Sequence, residues 1–164
     1  MYGLDLPNLT AGNHTITSAQ TPRYNCVSHA VYEDTVSLWP DDDNRWPSSI
    51  PRDETVDAFV QLFSVLGFEL IPVQATAVTP GYEKIAIFAT DNGTLPTHVA
   101  RQIRDGRWSS KMGAQVDIDH ADLRCLEGGA YGYVVRIMRR RHTGSPPTLP
   151  DLFPPRPLII LPFG

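Results

Sequence analysis

Two residue types in this chain could together carry out nucleophilic chemistry: a cysteine at a helix start and a histidine at a strand start. Cys26 lies in PRYNCVSHAVYEDTVSLWP (22–40), directly after Asn25, a residue type that caps helix N-termini. Unpaired backbone N–H groups and the positive end of the helix dipole favour a thiolate there. The same placement suits a small buried thiol that does nothing. His98 opens the strand-like stretch THVARQI (97–103). A histidine at the end of a strand packed against the helix can reach a cysteine at the helix end. Base and nucleophile then come from distant sequence positions but one spatial site. A strand histidine without such a partner is a structural one.

Other side chains have a chemical reading and a bland one. His29 stands three residues after Cys26, and a Cys-x-x-His pair can begin a zinc site, with His98 and His120 as further ligands. No second closely spaced ligand pair follows, so the expectation is no metal and no cofactor. Trp39, Trp46 and Trp108 could wall an aromatic groove but serve equally as core. RIMRRRH (136–142) is a basic run at a strand end, expected as a solvated edge or a face toward an acidic partner. Cys125 sits between Leu123 and Leu126 and reads as a buried hydrophobe.

The elements that must position these residues follow from periodicity and turn chemistry. Residues 1–23 are polar and turn-rich, an irregular arm. Val27, Ala30, Val31 and Leu38 predict a first helix, capped by Asn25 and ended by Pro40. A second helix begins at the Asp53 cap and carries Val56, Phe59, Val60, Phe63 and Leu66, with Gly67 just past its end. Phe68–Val73 is a short strand. Strands are expected over 83–90, 97–103, 107–113 and 131–140, with hairpin signals at Asp91-Asn92-Gly93 and Asp105-Gly106. DIDHADLRCLEGG (117–129) reads as a short helix with a glycine stop. Helices before a run of antiparallel strands argue an α+β fold. Residues 1–141 form one domain, and 142–164 a tail in which seven of the fifteen prolines fall. A proline-rich tail is extended, and its apolar PLIILPF end suits a protein partner.

NCVSHA followed by KIAIFATDNGTLPTHVARQIRDGRWSSK resembles papain-like cysteine hydrolases of the NlpC and CHAP type. In those families a Cys begins the first core helix, a strand opening with His-Val-Ala or His-Val-Gly follows, and a glycine turn leads to a return strand. The similarity covers residues 24–111. YNC…HA, PGYEKIAIFA, THVARQ, DGRW.SK.G and DIDH…LEG..YG together look like a bacterial family of unknown function. The resemblance implies a papain-like core, Cys26 as nucleophile and His98 as base. Alignment through DGR puts the residue that orients the imidazole at Ser110. Asp117 is the favoured carboxylate alternative, with Asp119 and His120 beside it. Gln20, six residues before Cys26, stands at the spacing of papain's oxyanion glutamine.

The implied activity is a thiol hydrolase or acyl transferase acting on a peptide or protein amide or isopeptide bond, a bacterial toxin or effector among the settings. The rival is a non-catalytic protein-interaction module. A net charge of −4 argues against a nucleic-acid-coating surface. No apolar run is long enough to span a bilayer. The first twenty residues show no secretory signal, so the expected location is the cytoplasm, or export by a route that reads no N-terminal signal.

Overall fold

Seven strands in one antiparallel sheet dominate the computed structural model, which describes residues 1–142. The strands are β1 (His14–Ile16), β2 (Glu69–Ile71), β3 (Tyr82–Thr90), β4 (Leu95–Gln102), β5 (Trp108–Lys111), β6 (Asp117–His120) and β7 (Tyr133–Arg141). Their spatial order is β1-β6-β5-β4-β3-β7-β2. The two α-helices are short: α1 (Cys26–Ala30) and α2 (Val56–Val65). The expected α+β papain-like core, with N-terminal helices packed on a meander, is therefore corrected. The described chain is mostly antiparallel sheet with two short helices on it.

Local physics explains each departure. Asn25 does cap α1, accepting from the Ser28 N–H, but the helix ends after five residues. Tyr32 adopts φ +62° and the Glu33 N–H turns back to the Ser28 carbonyl, so the apolar spacing out to Leu38 belongs to a loop. In α2 the cap is Thr55, two residues inside the expected Asp53; its hydroxyl accepts from the Ala58 N–H. Residues 117–120 are a strand, not the start of a helix. Their alternation fits the sheet, and only Leu123–Leu126 makes a 3-10 turn, capped by Asp122. The arm is not wholly irregular, because β1 pairs with β6 in register His14 to His120. The basic run is not a free edge either: β7 lies between β3 and β2, with Arg139 paired to Glu69 and Arg140 to Glu83. The proline-rich tail, from residue 143 on, lies outside the described residues.

Two apolar clusters form, one on each face of the sheet. On the helix face, Val27, Phe59, Leu62 and Phe63 pack on Ile85, Ile87, Val99 and Met138. On the other face, Leu6, Leu9, Leu123 and Leu126 close over Ala86, Phe88, Ala100, Trp108, Ile118 and Ile137. Each fully buried Phe or Leu contributes about 1.5–3 kcal/mol. Trp46 and Trp108 are core residues, and Trp39 packs beside Phe59 while its indole N–H donates to Glu54.

The turn into β7 is the tightest backbone contact. Gly132 has φ +70°, and a Cβ there would lie 2.1 Å from the Ala89 carbonyl oxygen. Gly113 has φ +59° but open space. Gly132→Ala should cost about 3 kcal/mol, from backbone strain plus the displaced strand. Gly113→Ala should cost about 1 kcal/mol, from strain alone. Urea midpoints measure both; equal costs would show that the Ala89 contact is not a constraint.

Candidate functional site

Parity along β4 decides where the sequence-picked residues go. Val99 belongs to the helix-face cluster, and Arg101 reaches the His29 carbonyl on α1 (2.5 Å). His98 and Ala100 therefore face the other way, and His98 meets Phe88 edge-on and stacks on Tyr131 at 4.2 Å. Cys26 sits at the first turn of α1, in the helix-face cluster. The Val99 backbone, one residue from His98, is near enough to the sulfur to favour its thiolate slightly against the larger effect of burial. The structure thus brings Cys26 to the backbone beside His98, but it forms no Cys26–His98 hydrogen bond.

His98 is instead part of a three-strand chain. Its Nε2 lies 2.9 Å from Ser110 Oγ, and Ser110 Oγ lies 2.8 Å from His120 Nε2. His120 Nδ1 lies 2.8 Å from the Asp122 carbonyl oxygen. The carbonyl can only accept, so His120 carries its proton on Nδ1 and its Nε2 accepts. Ser110 must then donate to His120 and accept from His98 Nε2–H. That assigns His98 Nδ1 as the bare nitrogen, and it is buried with no partner. Burial lowers the pKa of both rings, that of His98 well below its ordinary value, aided by the neighbouring imidazoles.

Asp117 takes part in a second network, on the helix face. Tyr24 donates its hydroxyl to Asp117 Oδ2 (2.5 Å), and His29 Nδ1 stands 3.6 Å from the same oxygen. His29 Nε2 lies 2.8 Å from Ser109 Oγ. Ser109, His29 and Asp117 thus have the order of a Ser–His–carboxylate relay. Ser109, however, is in a strand beneath α1, 3 % exposed, and lines neither of the cavities described here. Burial first, then the Arg101 and Lys111 charges, push His29 down to about 3 despite the nearby carboxylate. Lys111 is itself buried, donating to the Thr21 and Gln115 carbonyls. Tyr24 is pushed up to about 12 by burial and by Asp117.

The remaining expectations fall as follows. Gln20 is exposed and well outside both networks. Asp119 stands 4.0 Å from Arg107. Cys125 is buried, its thiol directed at Asp122. Cys26, His29, His98 and His120 do not converge; among the described residues no three His, Cys, Asp or Glu side chains are grouped to hold a metal. Also among the described residues, no helix is long and apolar enough to cross a membrane. Tyr24, Ser109, Tyr131 and Arg101 were not singled out from sequence. The available signal was parity: Ser109 and Ser110 are adjacent on one strand, so one must face each side of the sheet.

The profile of a domain of unknown function (DUF7689) matches residues 15–139, nearly the whole described sheet. The chain belongs to this family. No curated protein and no solved structure matches the chain. The DUF7689 match begins within β1 and ends within β7, so it takes in both histidine networks and both helices.

Burial keeps the rings of both networks neutral. A histidine whose folded pKa is depressed leaves the unfolded state binding more protons below its ordinary value near 6.5. Stability is therefore complete above about pH 7 and is lost as pH falls, for His29 down to about 3. Each of His29, His98 and His120 adds up to ~1.4 kcal/mol per pH unit to the slope. Urea midpoints should drop steeply from pH 6.5 to 5, and His29→Gln should flatten that slope. A midpoint constant down to pH 5 would contradict neutral burial.

Proposed function

We propose that this domain is a non-catalytic protein-interaction module in which Cys26 and His98 hold the fold. The observation that carries this reading is the state of the thiol. Cys26 is 7 % exposed, and desolvation outweighs its backbone hydrogen bonds to push it up to about 11. A cysteine nucleophile needs the opposite shift. Burial raises the Cys26 thiol and lowers His98, so moving the proton from one to the other is uphill before any bond is attacked. Among the described residues, no cation figures in what sets the Cys26 thiol's pKa. Strand parity also turns the His98 ring to the face away from α1.

One observation favours a second reading, a cysteine hydrolase or acyl transferase acting on an amide or isopeptide bond. His98 Nδ1 is a bare, unpartnered acceptor whose tautomer is held by Ser110 and His120. Tyr131 stacks on that ring, and its own pKa is raised by burial first and then by Cys26. In this reading a bound substrate brings the two side chains together. His98 Nδ1 takes the thiol proton, sulfur attacks the carbonyl carbon, and the C–N bond breaks as the amine leaves with that proton. Water then hydrolyses the thioester. Ser110 and His120 would be the positioning residues.

Iodoacetamide separates the two, in a Cys125→Ala background that leaves Cys26 as the single thiol. The module reading predicts alkylation of native Cys26 at pH 7 at least a hundred-fold slower than in urea, and not slowed further by His98→Ala. A native rate above that of a free thiol at pH 6–7, lost in His98→Ala, would overturn it in favour of the hydrolase.

A further inference from the structure

A cavity of about 710 Å³ opens at the other end of β4, between Tyr32 after α1, the 78–81 loop, and the ends of β3, β4 and β7. Its walls are pre-formed. Lys84 is buried and donates to the Ala75 and Ala77 carbonyls, while Gln102 donates to the Thr76 carbonyl. These bonds hold the loop that leads into the cavity wall. The volume falls in the range of small-molecule sites.

Charge at this cavity is one-sided. Among the described residues Glu83 is its only acidic lining residue, and Arg140 already pairs with it while His142 stands 3.9 Å away. Two further guanidiniums line the cavity, Arg101 and Arg104. Arg101 is largely buried, its guanidinium carbon 4.1 Å from the centre of the Tyr32 ring. One edge of the fork is taken, since Nη1 donates to the His29 carbonyl. The other is not: Nε is buried with no hydrogen-bond partner, and among the described residues no carboxylate comes within ion-pair distance of Arg101. Burial pulls its pKa down, partly offset by the charges of Tyr32, Asp117, Asp119 and Glu83, none of them in direct ion-pair contact. A buried N–H without a partner carries a free-energy cost of its own.

The geometry points to a small-molecule oxyanion site, with the Arg101 guanidinium in the wall and Arg104 beside it supplying the positive charge for a carboxylate or phosphate. Two parallel N–H···O bonds from one guanidinium edge suit either planar carboxylate or phosphate oxygens. The cavity volume leaves room for an organic body beyond the anion. The inference goes beyond the module reading by adding a small-molecule site to the domain, and it uses none of the atoms of Cys26 or His98.

The test is calorimetric titration of the full chain with inorganic phosphate and with sodium benzoate, each against chloride at equal ionic strength. Saturable binding of one probe at a single site is expected, benzoate marking a carboxylate ligand and phosphate a phosphorylated one. Arg101→Lys keeps the charge but loses the fork, and should weaken binding at least ten-fold. Arg104→Gln alters an exposed side chain with no hydrogen-bond or ion-pair partner among the described residues, so the fold is retained, and should weaken binding about three-fold. Neither probe binding above chloride, or both variants binding as wild type, would overturn the proposal. Cys26 alkylation reads the module proposal independently, so a failure here leaves that result standing.

Discussion

One hydroxyl, Ser110 Oγ, satisfies two imidazoles at once and ties β4, β5 and β6 together on the face away from the helices. His98 and His120 are both fully buried there among Phe88, Trp108 and Ile118. Two buried rings with four ring nitrogens would be costly in an apolar cluster without partners. Serine solves this because a hydroxyl donates and accepts. The chain runs from His98 through Ser110 and His120 to the Asp122 carbonyl, and every proton along it has one consistent position. Only His98 Nδ1 is left over.

The helix face has its own polar seam, and the sheet is what keeps the two apart. Tyr24, His29, Ser109 and Asp117 fix α1 to β5 and β6, and Arg101 fastens the His29 carbonyl from β4. The five residues of α1 are too few to be stable alone. These side-chain bonds, with the burial of Val27 and Ala30, hold it in place. Arg101 also reaches the cavity beyond Tyr32. Its charge thus connects the seam under α1 to a cavity whose wall is mostly basic.

Much of this was readable from residue order. The α2 spacing, the Asn25 cap, the Gly67 stop and the Asp105-Gly106 hairpin all appear near their expected places. Ser110 stands where the resemblance put the residue that contacts His98, while Asp117 is engaged by Tyr24 and His29. The α1 length was not readable, because Val27, Ala30, Val31 and Leu38 keep a helical period through a loop. Nor was the strand at 117–120, whose two-residue alternation is too short to outweigh the apolar spacing that follows it. The face taken by His98 escaped for a different reason. Parity along β4 relates His98 to Ala100 and Val99 to Arg101, but only the packed sheet shows which pair lies under α1.

The central claim is that the histidines are neutral structural members with one fixed proton arrangement. Nitrogen-15 NMR of the imidazole rings reads this most directly. The account predicts that from pH 7 to pH 5 both rings stay neutral, with His98 protonated on Nε2 and bare on Nδ1, and His120 the reverse. A His98 or His120 ring that titrates near pH 6.5, or a His98 carrying its proton on Nδ1, would contradict it.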